Sequence, residues 1–242
     1  MVAPWIWIII CPIAAYLIGS IPFSYIVAKL KTGKDLRKVG TQNVGGLNTM
    51  ITAGFWLGLL AGLLDFTKGF LCVLTVMLIE FDDTFQGSTL TNWTIPDMDA
   101  VIYILVAFAV VLGHNFSIYL KFRGGRGLGT SAGILSLANP IVLIIYLVTH
   151  AIITVITKYV RPAQFLSFFV AIPAAFFIII FPPWVTNHML HNGLILGLLV
   201  TGLAVATVPK YIGPFIDALK GKEYKIGKKE LKLSEAGQLD AE

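Results

Sequence analysis

The chain has little charge and almost no cysteine. Only 13% of its 242 residues are Asp, Glu, Lys or Arg, which is about half the share that soluble domains carry. Hydrophobic residues make up 57%, and the two cysteines, Cys11 and Cys72, lie within apolar runs. This composition excludes a soluble enzyme, a disordered chain and a disulfide-rich secreted scaffold. We therefore predict an all-α integral membrane protein.

Several familiar sources of catalytic or binding chemistry are also missing. The sequence has no HxxxxD acyltransferase pair and no HExxH zinc motif. Its cysteines and histidines lack metal-ligand spacing, so we expect neither a metal nor a cofactor. The net charge of +5 could indicate nucleic-acid binding, but the basic residues are distributed as they are in membrane topology.

Long apolar runs predict seven membrane helices or half-helices. One crossing needs roughly 20 mostly apolar residues. Runs of this kind cover residues 5–30, 51–79, 100–120, 128–157, 165–180 and 193–208. The run at 128–157 is special because 30 residues extend for roughly 45 Å as a helix, enough for two short crossings. Asn139-Pro140 lies at its centre and should break it there.

The charge distribution predicts the orientation. Lysine and arginine cluster in residues 29–38, 121–126, 158–161 and 210–232, whereas residues 80–99 hold five acids and no basic residue. The positive-inside rule puts the basic clusters in the cytoplasm and the N-terminus outside. We expect a multi-pass membrane domain at 1–209 in the cell membrane, followed by a lysine-rich cytoplasmic tail at 210–242. The alternative is one long span at 128–157, in which case Lys158 and Arg161 do not mark the cytoplasmic side.

The segment at residues 34–49 carries polar residues that a plain helical bundle does not need. Basic residues come first in this segment, and glycines, a threonine hydroxyl and asparagine amides follow them. These residues are Gly40, Thr41, Asn43, Gly45, Gly46 and Asn48. Glycine lets backbone N–H groups converge on an anion, and amide side chains complete such a nest. The alternative is an ordinary polar loop with turn glycines.

The segment at residues 113–133 carries a second polar pattern. Glycines and an arginine precede a new apolar helix that has a threonine in its first turn. They are Gly124, Gly125, Arg126, Gly127 and Thr130. Free N–H groups at a helix N-terminus favour phosphate, and arginine adds a bidentate donor. Alternatively, the arginines mark the cytoplasmic side and the glycines permit close helix packing.

Ionisable residues also occur inside the apolar runs. Asp65 and Lys68 are three residues apart and share one helix face, so they could pair. His114 lies at depth in the third run. Such residues face a protein interior or a wet cavity. A structural ion pair and a hydrogen-bonded packing histidine are the alternatives to a functional role.

Together these motifs resemble the PlsY family of bacterial membrane enzymes, which transfer an acyl group from acyl-phosphate to glycerol-3-phosphate. The similarity covers GSIPFSYIVAKL at 19–30, DLRKVG at 35–40 and LDFTKG at 64–69. TQNVGGLN at 41–48 is similar to the family's SGNxGxxN, and GHNFSIYLKFRGGRGLGTSAG at 113–133 to GHxFPxxxxFKGGKGVATxxG. The family fold, with seven membrane helices and the N-terminus outside, agrees with the topology predicted above.

The resemblance implies a cytoplasm-facing pocket in which the acceptor hydroxyl attacks acyl-phosphate without an acyl-enzyme, and the acceptor's own phosphate assists its deprotonation. It implies catalytic roles for Thr41, Asn43 and Arg126. The implied substrate-binding residues are Gly40, Gly45, Gly46, Asn48, Lys68, His114, Gly124, Gly125, Gly127, Thr130 and Arg161. The expected partners are acyl-phosphate, a small phosphorylated acceptor and the bilayer, and no nucleic acid.

The chain departs from the family where the acceptor phosphate is held. Ile51 occupies the position of an arginine, Arg161 that of a serine, and residues 210–215 lack the histidine and asparagine of the HRENI motif. Losing charge-assisted hydrogen bonds should weaken that site, although Arg161 and Lys210 could compensate. Three readings follow: an acyltransferase with glycerol-3-phosphate or another acceptor, a non-catalytic lipid-binding relative, or a small anion or lipid transporter.

Overall fold

The computed structural model describes residues 5–79, 89–90, 93–94, 98–177 and 193–221. Over these residues the chain is almost entirely helical. The helices are α1 (Trp5–Ser20), α2 (Phe23–Thr32), α3 (Gly46–Ala53), α4 (Phe55–Leu78), α5 (Met98–Asn115), α6 (Leu128–Ala138), α7 (Pro140–Thr157), α8 (Val160–Phe176), α9 (Gly193–Thr207) and α10 (Ile212–Leu219). Short 3₁₀ turns occupy Ile118–Leu120 and Val208–Lys210, and β1 (Thr89–Leu90) pairs antiparallel with β2 (Trp93–Thr94).

Two apolar runs are interrupted where the sequence predicted one helix. The first divides into α1 and α2 at Pro22, which lacks the N–H that a continuous helix needs. The second begins at Phe55 instead of residue 51. Gly54, with φ of +101°, separates the short helix α3 from α4. The prediction of one helix in each of these runs was wrong at both breaks.

The break at Asn139-Pro140 is present as expected. Asn139 caps α7 by accepting a hydrogen bond from the backbone N–H of Val142 at 3.0 Å, and Pro140 begins the helix. Helix α8 begins at Val160, five residues before the apolar run, so Arg161 lies in its first turn. The expectations for residues 80–88, 178–192 and 222–242, including most of the acidic segment and of the tail, lie outside the described residues.

The helices have membrane character. Five segments are long and apolar enough to cross a bilayer: Ile6–Thr32, Phe55–Leu78, Asp99–Leu120, Pro140–Thr157 and Gly193–Lys210. Leu128–Ala138 and Val160–Phe176 are shorter apolar helices. Large apolar side chains point outward along α4 and α7, including Leu63, Ile144 and Ile156. Such exposure suits contact with hydrocarbon.

Two close helix contacts depend on glycine. A Cβ on Gly19 of α1 would collide with the carbonyl of Val110 on α5. In the same way, a Cβ on Gly69 of α4 would collide with the carbonyl of Thr130 on α6, and one on Gly133 with that of Phe66. Small residues let helix backbones approach each other closely in membranes. The second contact holds the N-terminus of α6 beside the middle of α4.

Candidate active site

A cavity of about 540 Å³ lies between α3, α4, the loop before α6, and α8. Its wall is mostly apolar, with side chains such as Met50, Leu59 and Leu147, but polar groups collect in one part. Eight of the residues predicted from the sequence line it: Thr41, Asn43, Gly45, Gly46, His114, Arg126, Gly127 and Arg161. These come from distant segments, and the fold brings them to one space.

Two helix N-termini open on this cavity. Helix α3 starts after Gly45, and α6 starts after Gly127, whose φ of +82° favours glycine. The first N–H groups of each helix have no partner within that helix, and the helix dipole makes this end positive. Gly45, Gly46 and Leu47 line the cavity, and so do Gly127, Leu128 and Gly129. Paired helix starts of this kind suit anionic oxygen atoms.

Two arginines add full positive charge to the same wall. Arg126 precedes α6, and Arg161 lies in the first turn of α8. Arginine presents a planar set of donors that matches phosphate oxygens. Lys210 does not line the cavity; its ammonium lies 4.5 Å from the centre of the Phe116 ring. Of the two cations considered as compensating for lost family residues, Arg161 is therefore the one beside the cavity.

Asn48 lies outside the cavity lining and shapes the loop instead. Its side chain is fully buried. The amide nitrogen donates to the carbonyls of Leu36 at 2.9 Å, Val39 at 3.1 Å and Asn43 at 2.9 Å. Its carbonyl oxygen accepts from the N–H of Thr41 at 2.9 Å. Asn48 thus positions Thr41 and Asn43, which do line the cavity. Gly40 packs directly against it, where a Cβ would collide with the Asn48 side chain.

Gly124 and Gly125 also lie outside the lining, and their N–H groups are already used. They donate to the carbonyls of Asn115 at 3.2 Å and His114 at 2.9 Å. A Cβ at either position would collide with His114. These glycines therefore allow the loop to pack on the end of α5. The free N–H groups come from the start of α6, three residues further along.

Asp65, Lys68, His114 and Ser24 form a buried charge cluster beside the cavity. Lys68 lies 2.9 Å from Asp65 and donates to the carbonyls of Gly19 at 2.9 Å and Ile21 at 3.1 Å. The Ser24 hydroxyl donates to Asp65 at 2.8 Å, and His114 Nδ1 lies 3.5 Å from the same carboxylate. Asp65 and His114 reach the cavity wall, whereas Lys68 does not.

Residues 129–133 read GTSAG and match the GxSxG pattern of serine hydrolases. That pattern works where a sharp turn between strand and helix exposes the serine. Here Thr130 and Ser131 lie in the first turns of α6, buried and outside the cavity lining. The match is fortuitous, and Thr130 does not reach the cavity.

Two further residues bear on the site, although no sequence motif marks them. Gln164 lines the cavity one turn after Arg161 on α8. Tyr211, fully buried after α9, donates from its hydroxyl to the carbonyl of Arg126 at 3.2 Å and lies 3.0 Å from Gln164 Oε1. Tyr211 is 47 residues from Gln164 and 85 residues from Arg126 in the sequence, and no local pattern predicts their association.

A partly exposed ion pair lies in the loop that leads to the cavity. Arg37 contacts Asp35 at 2.7 Å and donates to the carbonyl of Leu120 at 3.4 Å. The hydrogen bond from Arg37 lowers the pKa of Asp35 from 3.8 to about 2. The pair links the segment before α3 to the segment before α6.

An apolar helical bundle whose cavity combines two helix N-termini, two arginines and an apolar wall is typical of a membrane protein, and the chemistry of its cavity suits an anionic amphiphile. Comparison with known proteins identifies it further. Residues 9–216 match the family model described as glycerol-3-phosphate acyltransferase. The chain therefore belongs to the glycerol-3-phosphate acyltransferase family, and the resemblance to PlsY proteins is confirmed.

Individual relatives cover nearly the whole chain. It is 32% identical over 232 residues to the glycerol-3-phosphate acyltransferase of Acholeplasma laidlawii, covering 93% of this chain and 96% of the relative. It is 32% identical over 215 residues to that of Thermotoga petrophila, covering 89% and 94%. The crystal structure of PlsY, an integral membrane glycerol 3-phosphate acyltransferase, in its glycerol 3-phosphate form matches with a TM-score of 0.71 at 26% identity, covering 93% and 98%.

Proposed function

We propose that this protein transfers a fatty acyl group from acyl-phosphate to glycerol-3-phosphate, forming lysophosphatidate and inorganic phosphate. Family membership supports the transferase activity and the acceptor. The observation that carries the proposal is the cavity itself, because two helix N-termini and two arginines provide for phosphate groups while Met50, Leu59 and Leu147 provide an apolar wall for an acyl chain.

The chemistry needs no covalent enzyme intermediate. The acceptor hydroxyl oxygen bonds to the acyl carbon, the bond from that carbon to the phosphate oxygen breaks, and the hydroxyl proton passes to a phosphate. Acyl-phosphate is already activated, so positioning and charge stabilisation can supply the catalysis. Arg126 and the start of α6 would stabilise the departing phosphate, and Thr41 and Asn43, which line the same cavity, would orient the reacting groups.

Arg161 would hold the phosphate of the acceptor. It stands where the family has a serine, and Lys210 does not line the cavity. A guanidinium in the first turn of α8 offers bidentate donors in place of the family contacts that this chain lacks. A different phosphorylated acceptor would use the same contact, so the acceptor must be tested directly.

The proposed topology has seven membrane elements, the N-terminus outside and the cavity facing the cytoplasm, in the cell membrane. Five segments have the length and apolarity to cross a bilayer, and α6 and α8 would be the shorter elements. Arg126 and Arg161, from the basic clusters at 121–126 and 158–161, line the cavity, which supports a cytoplasmic opening.

The test is acyl transfer by purified protein in detergent, supplied with palmitoyl-phosphate and glycerol-3-phosphate. We expect lysophosphatidate from the wild type, and at least a tenfold loss of kcat/KM in Arg126→Ala, since a charge-assisted contact contributes about 1.5–3 kcal/mol. Lys34→Ala, at an exposed lysine outside the cavity, should retain wild-type activity. Binding of acyl-phosphate without product would contradict the proposed acceptor and favour a non-catalytic binding role.

A further inference from the structure

Tyr211 joins the two parts of the cavity wall that carry the arginines. It is buried between α9 and α10, and its ring stacks on Phe165 of α8 with ring centres 6.3 Å apart. Tyr211 does not itself line the cavity. Its hydroxyl lies 3.2 Å from the carbonyl oxygen of Arg126 and 3.0 Å from the amide oxygen of Gln164.

Both residues that the Tyr211 hydroxyl contacts, Arg126 and Gln164, line the cavity. Gln164 follows Arg161 by three residues on α8, so the two side chains emerge from the same side of that helix. One hydroxyl group therefore ties the backbone that carries Arg126 to the helix face that carries Arg161.

The packing of the Tyr211 ring cannot replace the hydrogen bonding of its hydroxyl group. Its two neighbours are oxygen atoms, and the single hydrogen of the hydroxyl is shared between them as a three-centre hydrogen bond. Burial raises the pKa of Tyr211 above its ordinary value, so the group keeps its hydrogen at physiological pH. Phenylalanine would preserve the contact with Phe165 and leave the two oxygens without this donor.

We propose that Tyr211 is a positioning residue for the acyl transfer: its hydroxyl sets the separation of Arg126 and Arg161 through the Arg126 carbonyl and the Gln164 side chain. This inference rests on the proposed function, since it assigns Tyr211 to the binding of glycerol-3-phosphate. Two arginines bind two phosphate groups in productive register only if their spacing is held, because small displacements at a reacting centre are costly.

The first test compares Tyr211→Phe with the wild type in steady-state kinetics and thermal unfolding. We expect KM for glycerol-3-phosphate to rise roughly three- to tenfold, as for the loss of one hydrogen bond, with kcat changed by less than about twofold. Tyr103→Phe is the matched control, because Tyr103 is fully buried on α5 and its hydroxyl has no hydrogen-bond partner among the described residues. A fall in folded protein with unchanged KM would indicate a merely structural role and overturn the inference.

The second test is a double-mutant cycle with Gln164→Met, which keeps the side-chain length and removes the amide. If Tyr211 acts through Gln164, the double variant should raise KM no more than the larger single change; additive effects would overturn the inference. Should Tyr211→Phe yield no folded protein, Gln164→Met alone must raise KM, and an unchanged KM overturns the inference equally.

Failure of the proposed function is distinguishable from failure of this inference. Stabilisation by glycerol-3-phosphate, read as a shift in the unfolding midpoint, measures binding without turnover. A wild type that neither turns over nor binds glycerol-3-phosphate overturns both. A wild type that binds it, together with a Tyr211→Phe variant that binds it equally well, overturns the role of Tyr211 alone.

Discussion

The cavity and the buried charge cluster both hold charged side chains within an apolar bundle, but the surroundings of those side chains differ. In the cluster, the Lys68 ammonium contacts the Asp65 carboxylate and two backbone carbonyls, so its donors are fully used by the protein. In the cavity, Arg126 and Arg161 face a space of about 540 Å³ beside two helix N-termini. A cation held by a buried carboxylate and two backbone carbonyls stabilises structure, whereas a cation that lines a cavity lies where an anionic ligand can reach it.

The largest effect should follow from Lys68→Met. Removing the ammonium leaves the Asp65 carboxylate buried without its cation, which costs about 3–5 kcal/mol in comparable buried pairs. We expect a strongly lowered thermal unfolding midpoint in detergent and a poor yield of monodisperse protein. Lys34→Met, the same change at an exposed lysine, should unfold like the wild type.

A compensating change makes this prediction sharper. Asp65→Asn combined with Lys68→Met removes both charges, so part of the lost stability should return. The distinction between the two regions breaks down if Lys68→Met folds normally and instead raises KM for either substrate. Lys68 would then belong to the ligand site, as the family resemblance implied.

The next largest effect should follow from Asn48→Ala. The Asn48 amide bonds to the loop through two N–H hydrogens and one carbonyl oxygen, and at about 0.5–1.5 kcal/mol for each of these three groups the loss should cost roughly 1.5–4.5 kcal/mol. The unfolding midpoint should fall together with the activity. Asn43→Ala, on the same loop but lining the cavity, should lower turnover while the midpoint stays near that of the wild type. The reverse pattern would exchange the roles of the two asparagines.

Arg161→Ala should leave stability almost intact and affect binding. We expect KM for glycerol-3-phosphate to rise about 10- to 100-fold, since a charge-assisted contact contributes about 1.5–3 kcal/mol. Lys158→Ala, an exposed cation one turn earlier and outside the cavity lining, is the control. Equal KM values for Arg161→Ala and the wild type would mean that this chain holds its acceptor elsewhere.

The sequence predicted the fold class and the polar loops, because composition and residue type determine both. The break at Asn139-Pro140 followed from proline's missing N–H, and the same rule applied to Pro22 would have predicted the division of α1 from α2. Counting apolar residues alone concealed that division. The family resemblance supplied Arg126 and Thr41 at the cavity.

The sequence could not separate glycines that pack from glycines whose N–H groups are free, since tertiary contacts decide this. Gly124 donates to Asn115, whereas Gly127 begins a helix that opens on the cavity. Gln164 and Tyr211 were missed for a related reason. They meet Arg126 only through the packing of α8 against the segment after α9, and no motif marks that contact.

The smallest effect should appear at the partly exposed pair Asp35–Arg37, which contrasts with the buried pair at Asp65–Lys68. The folded-state pKa of Asp35 is lowered to about 2 from an ordinary 3.8. Its contribution to stability is therefore fully present above the ordinary pKa and is lost as the pH falls towards 2. Since solvent screens such pairs, Asp35→Asn should cost less than about 1 kcal/mol at neutral pH.

The measurement is the difference in unfolding midpoint between Asp35→Asn and the wild type, followed from about pH 6 down to about pH 2.5. We expect a small difference that shrinks steadily over the lower part of this range, and that salt reduces at neutral pH. If Asp35→Asn lowered the unfolding midpoint as much as Lys68→Met does, the hydrogen bond from Arg37 to the Leu120 carbonyl, rather than the charge pair with Asp35, would hold the two loops together. In that case the hydrogen bond between the loops, and not burial of the charge, would determine the loss of stability. The two ion pairs would then differ in their backbone contacts rather than in their burial.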